Sequence, residues 1–264
     1  MALTDGLIHH YQMEINGGSE PDRVTQDANF LMNPLSGMPA TVTGKINLAR
    51  LMTSLSSTGL FKALVGSPYL VDNTGTVSMT VAAWVNFTDL LQSTFQVIAI
   101  EGNGGTDGST HWALRYNQTP DRLQFVATQS DGTPFIAQAD TFGLPPTGQF
   151  LLILGSLDGA TGNLRVVVNN TVDTIGGHDG TMFNANAGAA IGRATNFTGG
   201  AARAAIDEVA IWNRALSPSE ETDLWNSGDG VNLASLGGGG STFITFQQTR
   251  RRRLRRRGRR RARV

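Results

Sequence analysis

A short run, Arg115-Tyr116-Asn117, groups side-chain types that bind sugars: an aromatic ring beside a guanidinium and an amide. Exposed aromatic rings pack on the apolar faces of sugars, and planar polar groups exchange hydrogen bonds with sugar hydroxyls. Trp112 precedes the run in the same segment. We therefore take Trp112, Arg115, Tyr116 and Asn117 as candidate glycan-binding residues and expect Tyr116 to be exposed. Trp84 and Trp112 lie within predicted strands, where burial is the usual fate of tryptophan.

The C-terminal fifteen residues carry eleven arginines and no acidic residue. The whole chain has 21 basic and 21 acidic residues, so residues 1–249 carry a net charge of −11. Such a run cannot pack on its own, because like charges repel and its hydrophobicity is low. It is suited to bind anions, and the arginines are Arg250, Arg251, Arg252, Arg253, Arg255, Arg256, Arg257, Arg259, Arg260, Arg261 and Arg263.

Three partners for this basic tail stay open. It could dock on an acidic protein surface of a larger assembly, or on the acidic body of a second copy in a homo-oligomer. It could also bind the phosphates of nucleic acid without sequence preference, because no aromatic side chains alternate with the arginines. A tail that only increases solubility is the remaining interpretation.

Other catalytic and metal-binding patterns do not occur in the sequence. Cys is absent, which excludes disulfides and thiolate metal sites. The four histidines show neither metal-ligand spacing nor a recognisable Ser-His-Asp arrangement; they are His9, His10, His111 and His178. We expect His9 and His10 to be an inward-facing and an outward-facing residue of one strand.

The elements that would position these residues are short β-strands. In residues 76–87 apolar side chains alternate along one face: Val77, Met79, Val81, Ala83, Val85 and Phe87. Similar segments recur between turn residues, which is typical of a sandwich or jelly roll. Residues 163–175 predict a hairpin that turns at Asn169-Asn170. A weaker pattern at 47–54 predicts a short helix.

One clear helix is predicted to begin after Ser217. Ser217 can act as N-cap, Pro218 occupies the first helical position and Glu220 completes a capping box. Leu224 and Trp225 would face the sandwich. Gly228 would end the helix.

Beyond the helix the composition changes. Residues 228–241 form a Gly-rich, linker-like stretch, and TFITFQQ (242–248) has a short strand pattern that could pair with a sheet edge. The predicted organisation is therefore a β-sandwich over 1–227, a linker over 228–241 and a strand plus Arg-rich tail over 242–264.

Residues 199–225, GGAARAAIDEVAIWNRALSPSEETDLW, resemble the C-terminal signature of the laminin-G-like, concanavalin A-like jelly-roll family. The matching residues are Gly199, Gly200, Ile206, Asp207, Glu208, Val209, Trp212, Asn213, Arg214, Ala215, Leu216 and Ser217. The segments DGLIHHYQME, SMTVAAWVNF and LDGATGNLRVVVNN extend the likeness over about residues 5–226. The chain departs from the family in the loop RVTQDANFLMN and at Phe150, where a Trp is common.

The resemblance implies a structural Ca²⁺ ion between an early loop and the last strand. Asp207 matches the family's aspartate, and Asp27 and Asn29 are the partners expected from the early loop. Oxygen ligands of this kind suit calcium. The alternative is that Asp207 only accepts hydrogen bonds from a turn while Glu208 faces solvent.

Glycoside hydrolases share the fold that the resemblance implies. Retaining members use two carboxylates, usually presented as Glu-x-Asp-x-Glu along one strand. This spacing does not occur here, and the adjacent Asp207 and Glu208 are predicted to point to opposite faces. The sequence therefore predicts a protein that is not an enzyme.

Together these patterns predict an all-β, concanavalin A-like (LamG-type) jelly-roll β-sandwich with one short C-terminal helix and a basic extension. The expected function is that of a lectin-like, adhesive structural module. No secretory signal is recognised, and the longest apolar stretch, FLLILGSL, is too short to span a bilayer. A virion protein fits first: a bacteriophage capsid-associated or decoration protein held by its tail. A bacterial surface or secreted carbohydrate-binding adhesin and a sequence-independent nucleic-acid-binding protein are the alternatives.

Overall fold

The computed structural model describes residues 2–15, 18–25, 31–34, 38–53, 59–62, 70–72, 74–90, 95–102, 107–184, 188–194 and 200–236. The chain divides into two units, residues 1–231 and residues 232–264. The second unit is described only to Leu236. The Arg-rich tail, the TFITFQQ segment and most of the linker therefore lie outside the described residues, as do Asp27 and Asn29.

The strands in chain order are β1 (Leu7–Tyr11), β2 (Asn33–Pro34), β3 (Ala40–Thr43), β4 (Leu48–Thr53), β5 (Leu60–Lys62), β6 (Met79–Phe87), β7 (Phe95–Gly102), β8 (Thr110–Asn117), β9 (Arg122–Thr128), β10 (Pro134–Gln138), β11 (Leu151–Asp158), β12 (Asn163–Val168), β13 (Thr171–Ile175), β14 (Ala189–Ile191) and β15 (Arg203–Trp212). The helices are α1 (Pro218–Trp225) and α2 (Leu233–Leu236). Short 3₁₀ turns occupy Asp107–Ser109 and Asn226–Gly228.

Within the described residues these strands form two antiparallel sheets. The eight-stranded sheet has the order β13-β12-β11-β6-β15-β4-β3, and β1 pairs with β15. The seven-stranded sheet has the order β10-β9-β8-β7-β14-β5-β2. Runs of consecutive strands, such as β7 to β10, are joined to strands distant in sequence, as in the pairs β6–β15 and β7–β14. This connectivity is that of a jelly-roll sandwich.

The hydrophobic core lies between the two sheets. All six residues predicted from alternation in 76–87 belong to it, which confirms that face of β6. Gly155 in β11 marks a close approach of the sheets, because a Cβ there would lie 2.1 Å from a ring carbon of Phe125 in β9. The absence of a side chain at residue 155 thus lets the Phe125 ring fill this part of the core.

The predicted hairpin is present, and the predicted helix at 47–54 is wrong. Asn169 and Asn170 take positive φ angles of 47° and 67° between β12 and β13, as a tight turn requires. Residues 48–53 instead form β4, which pairs with β15 and β3. Pairing on both edges outweighs the weak helical preference of this segment.

Helix α1 begins as predicted. The Ser217 side chain accepts from the Glu220 backbone N–H, and Glu220 accepts from the Ser217 backbone N–H, so the capping box is complete. The α-helix ends at Trp225, because Asn226 takes the left-handed conformation of a C-cap before Gly228 is reached. In the described part of the chain, no helix combines the length and apolar character needed to cross a bilayer.

Helix α1 lies on the outer face of the eight-stranded sheet. Leu224 is buried, as predicted, whereas Trp225 is half-buried. Arg165 of β12 donates to Glu221 at 2.9 Å, and the Leu216 backbone N–H donates to Thr80 Oγ1 at 3.0 Å. Helix α1 therefore packs on the eight-stranded sheet, whereas β8, with the predicted glycan residues, belongs to the other sheet.

Candidate functional site

Strand β8 separates the four predicted glycan residues onto two faces. Trp112 and Tyr116 belong to the core, each 1% exposed, so the expectation that Tyr116 is exposed is wrong. Trp112 Nε1 donates to Glu101 Oε2 at 2.8 Å, and the Tyr116 hydroxyl donates to Asp121 Oδ1 at 2.7 Å. Burial raises the pKa of Tyr116. Because strand side chains alternate, Arg115 and Asn117 lie on the outer face.

Arg115 belongs to a row of polar side chains that crosses three adjacent strands of this outer face. We call Arg115, Gln124, Gln138 and Asp140 the polar row. Arg115 pairs with Gln124 across β8 and β9, and Gln124 pairs with Gln138 across β9 and β10. Arg115 Nε donates to Gln124 Oε1 at 3.0 Å, Gln124 Nε2 to Gln138 Oε1 at 2.9 Å, and Gln138 Nε2 to Asp140 Oδ1 at 2.8 Å.

At one end of the polar row, Arg115 is fixed by Asp107. Its two terminal nitrogens donate to the two oxygens of Asp107 at 2.5 and 3.0 Å, a bidentate pair. The guanidinium also lies over the ring of Phe95, 5.1 Å from the centroid. Arg115 is 5% exposed, so this end of the row is preorganised below the surface.

At the other end the row becomes accessible. Gln138 is half-buried and Asp140 is exposed. Arg122 Nε lies 3.3 Å from Asp140 Oδ1, and Asn117 Nδ2 donates to Gln124 Oε1 at 3.3 Å. Asn117 is half-buried, and the Arg122 side chain is 28% exposed. Amide and guanidinium groups therefore reach solvent here on a hydrogen-bonded support.

An apolar patch borders the polar row on the same face. Its buried members are Val97, Ile100, Ala113, Val126, Ala190 and Ala194. Phe61, Phe95 and Ile136 pack against them and are only partly buried. The accessible apolar surface beside the row is therefore that of these three side chains. Apolar surface beside planar polar groups is the combination that carbohydrate recognition uses.

The sequence prediction named Arg115 and Asn117, which lie on this outer face, but not Gln124, Gln138 or Asp107; their role in glycan binding stays a prediction. The missing signal was the register of the β8–β9–β10 meander. Placing the turn at residues 118–121 would have set Arg115 opposite Gln124.

A second group of polar side chains lies in β15, at a β-bulge that interrupts the pairing with β6. Asp207 pairs with Trp84, the next paired residue is Ala210, and Glu208 has a positive φ of 48°. Ile206 and Val209 both face the core. Asp207 and Glu208 therefore both lie on the side away from the core, and the prediction that they point to opposite faces is wrong.

Asp207 is fully buried and only half satisfied. Its Oδ2 accepts from the Ile46 backbone N–H at 2.9 Å, whereas Oδ1 has no hydrogen-bond partner. Burial, reinforced by the charge of Glu208, raises the pKa of Asp207 to about 8. A Cβ at Gly44 would lie 2.5 Å from Oδ2, so only glycine leaves room for this carboxyl group.

Glu208 is buried as well, so the alternative that it faces solvent is wrong. Its Oε2 lies 2.5 Å from His10 Nε2, and its Oε1 has no hydrogen-bond partner. Of these two buried carboxylates, Glu208 is the one within hydrogen-bond distance of the His10 ring.

The donor set at this bulge fits a cation only in part. A buried carboxylate oxygen without a partner, Asp207 Oδ1, is a ligand type that calcium accepts. Within the described ranges, however, no group of three or more His, Cys, Asp or Glu side chains is arranged to hold a metal. Further oxygen ligands would have to be backbone carbonyls or the predicted Asp27 and Asn29.

The histidines of β1 have structural partners. His9 and Tyr11 stack on the core side, whereas His10 lies on the opposite side with Glu208, as the alternation predicts. His9 Nδ1 lies 2.8 Å from Asp22 Oδ2, and His9 Nε2 lies 3.0 Å from the Leu70 carbonyl oxygen. Both ring nitrogens are therefore occupied, which leaves His9 no free nitrogen with which to activate a nucleophile.

Solved structures share this fold at low sequence identity. The binding domain of Paraclostridial Mosquitocidal Protein 1 matches with a TM-score of 0.65 and 13% identity, over 86% of this chain and 53% of that one. Domain 4 of AbnA, a GH43 extracellular arabinanase from Geobacillus stearothermophilus solved with arabinotriose, matches with a TM-score of 0.52 and 22% identity, over 82% and 97%. Trypanosoma rangeli sialidase matches with a TM-score of 0.57 and 16% identity, over 87% and 34%.

The chain spans about half of the mosquitocidal-protein binding domain and about a third of the sialidase. A search of curated protein sequences finds no significant match. The family model of the concanavalin A-like lectin/glucanases superfamily, Laminin_G_3, matches residues 64–220, more than half of the chain. With the sandwich topology and this match together, the chain belongs to the concanavalin A-like lectin/glucanases superfamily.

Proposed function

We propose that this protein is a non-enzymatic, lectin-like binding module that recognises an oligosaccharide at the polar row. The observation that carries the proposal is the hydrogen-bonded series from Arg115 through Gln124 to Gln138, which ends at solvent beside the apolar patch. Hydroxyl groups of a sugar can both donate to and accept from such amides. The fixed support lowers the entropic cost of ordering these side chains on binding.

Carboxylate placement supports binding rather than hydrolysis. Hydrolysis of a glycosidic bond needs two carboxyl groups that face each other across the substrate. Asp207 and Glu208 are buried, on the sheet opposite the polar row. On the row itself, Asp107 and Asp140 stand at opposite ends, each paired with an arginine.

The experiment for this function is a glycan array followed by calorimetry. Gln138→Ala removes an accessible amide from the polar row, and we expect it to weaken binding of any array hit by about five- to tenfold. Asn163→Ala is the matched control, because it removes a half-buried amide from the other sheet. An array without hits, or equal losses for the two variants, would refute binding at the polar row.

The Arg-rich tail is proposed to fasten this module to an anionic surface of a larger assembly, with a bacteriophage capsid as the preferred case. Support comes from charge alone: eleven arginines follow a body of net charge −11. An acidic protein surface retains such a tail by many weak, salt-sensitive contacts. A bacterial surface adhesin remains the second candidate, and sequence-independent nucleic-acid binding the third.

Removal of residues 242–264 tests the anchor. The full chain and the shortened chain are compared for binding to DNA-free capsids, to duplex DNA and to a second copy of the protein. We expect the shortened chain to keep its melting temperature and to lose capsid binding. Equal capsid binding by both chains would refute anchoring, and tighter binding to DNA than to capsids would favour the nucleic-acid alternative.

Calcium is proposed as a structural ion held in part by Asp207. Its buried, unpartnered Oδ1 supports this assignment, with Asp27 and Asn29 as the further side-chain ligands expected from the sequence. The bound ion would supply positive charge beside these two buried carboxyl groups. If the ion is bound there, Ca²⁺ added after EDTA should raise the melting temperature.

A further inference from the structure

We infer that the polar row is selective for uncharged oligosaccharides and gains nothing from a sialic or uronic acid. This inference rests on the proposed function, because it names the ligand class of the same surface. The two arginines on the surface would normally suggest the opposite, since guanidinium groups are the usual partners of carboxylates. Both arginines, however, form ion pairs with carboxylates of the protein itself, which weakens their attraction for an acidic sugar.

The positive charge of Arg115 is neutralised by its ion pair with Asp107. Each of its three guanidinium nitrogens donates to a protein acceptor: Nε to Gln124, and the two terminal nitrogens to Asp107. One face of the group lies over Phe95. An acidic sugar would have to displace Asp107, and the displaced carboxylate would remain close by, because Asp107 lies in a 3₁₀ turn that also holds Thr128 through its backbone carbonyl.

Arg122 forms an ion pair at the accessible end, although its Nε has no hydrogen-bond partner. Its Nε lies 3.3 Å from Asp140, and its Nη1 donates to the backbone carbonyls of Pro120 and Asp121. A sugar carboxylate approaching Arg122 would therefore meet the carboxylate of Asp140, which is the more exposed partner of the pair.

Among the residues that the structure describes around the row, positive charges do not outnumber negative ones. Arg115 and Arg122 face Asp107 and Asp140, and Asp121 in the β8–β9 turn adds a third carboxylate. An anionic ligand would thus lose hydration without gaining a free cation. The accessible amides of Asn117 and Gln138 carry no charge and suit hydroxyl groups equally well as donors and acceptors.

The test is an array that carries neutral oligosaccharides and, for each of them, a counterpart bearing sialic or uronic acid. The full chain is used in about 0.5 M NaCl, where screening suppresses attraction of acidic sugars to the tail. We expect hits among the neutral members and weaker binding of their acidic counterparts. Calorimetry on one neutral and acidic pair then gives the selectivity ratio.

Asp140→Asn should release the charge of Arg122 and shift this ratio toward the acidic counterpart by roughly three- to tenfold. Asp107→Asn should do the same through Arg115 and provides a second route if either variant fails to fold. Asp223→Asn, an exposed aspartate on α1, is the control with the same change in net charge and should leave the ratio unchanged.

Three results would contradict the inference in different ways. Acidic counterparts that bind as tightly as the neutral sugars, with both lost in Gln138→Ala, would overturn the selectivity while the proposed function stands. A ratio that Asp140→Asn and Asp107→Asn both leave unchanged would overturn the role of the ion pairs. Absence of binding to every array member would overturn the proposed function and the inference together.

Discussion

Asp207 and Glu208 lie on the same side of their sheet although they are neighbours in one strand. The bulge at Glu208, with its positive φ, turns both Ile206 and Val209 toward the core and leaves both carboxyl groups on the other side. His10 approaches Glu208, and Asp207 Oδ1 has no partner. Because these two carboxyl groups are buried and each has an oxygen without a hydrogen-bond partner, we expect the stability of this position to depend on pH and on added cations.

The first prediction concerns pH in the absence of metal. Burial raises the pKa of Asp207 to about 8, above its ordinary value of 3.8, so the folded state holds a proton that the unfolded state releases. Stability from this group is complete below pH 3.8 and is lost as pH rises toward 8. In EDTA, we expect urea unfolding to show a free energy that falls by several kcal/mol over this range.

Asp207→Asn provides the comparison for that measurement. An amide cannot ionise, so the variant should lose less stability than the wild type between pH 5 and pH 8 and should be the more stable protein at the upper end. Parallel stability curves for the two proteins would show that Asp207 does not carry the effect.

The second prediction concerns calcium. A cation beside the ionised Asp207 would replace the proton, so Ca²⁺ should raise the melting temperature most at pH 8, where the bare carboxylate is most costly. A shift of about 3 °C or more is expected when Ca²⁺ is added after EDTA, measured by calorimetry. Asp207→Asn should abolish the shift, and Mg²⁺ at equal concentration is the control for ionic strength. An unchanged wild-type midpoint would remove calcium from this site.

The third prediction concerns the start of α1. Two hydrogen bonds from Arg214 and the capping box with Ser217 lower the pKa of Glu220 to about 2. The stability from this ionised group is present above pH 4.5 and is lost as pH falls toward 2. Glu220→Gln should therefore lower the free energy of unfolding by about 2 kcal/mol at pH 7. The free energy of the variant should also fall less steeply as the pH is lowered, as measured by urea unfolding.

The neighbouring Glu221 is the matched control, because burial raises its pKa instead. Glu221→Gln removes a glutamate from the same turn and also leaves Arg165 without its partner, so it will destabilise the protein. It should not make the acid decline shallower. If both variants make the decline of the unfolding free energy in acid equally shallow, the low pKa of Glu220 is not the cause of that decline.

The sequence predicted those elements whose signals are local. Alternation along β6, the Asn169-Asn170 turn and the Ser217 cap each depend on a few adjacent residues, and all three are present. The faces of β8 were less predictable, because Thr110 to Tyr116 are buried on both sides of the sheet and the contrast between faces disappears. That is why Tyr116 was assigned to the surface.

The features that the sequence did not predict depend on pairing between segments that are distant in the chain. A positive φ at Glu208 has no sequence signature, since glutamate gives no hint of a bulge, and it became visible only in the register of β15 against β6. The same holds for β4, whose strand conformation is set by β15 and β3. The polar row likewise appears only when β8, β9 and β10 are placed in register.

The fourth prediction concerns the contact between the sheets at Gly155. A methyl group there would lie 2.1 to 2.8 Å from three atoms of Phe125, so Gly155→Ala forces the ring to move within a packed core. We expect a loss of about 2 kcal/mol in the free energy of unfolding. Gly176→Ala is the control, because Gly176 is exposed and its nearest atom would lie 3.4 Å away. Combining Gly155→Ala with Phe125→Leu should cost less than the two single changes together, because the smaller side chain makes room for the methyl group. Strict additivity would place the strain elsewhere in the sandwich.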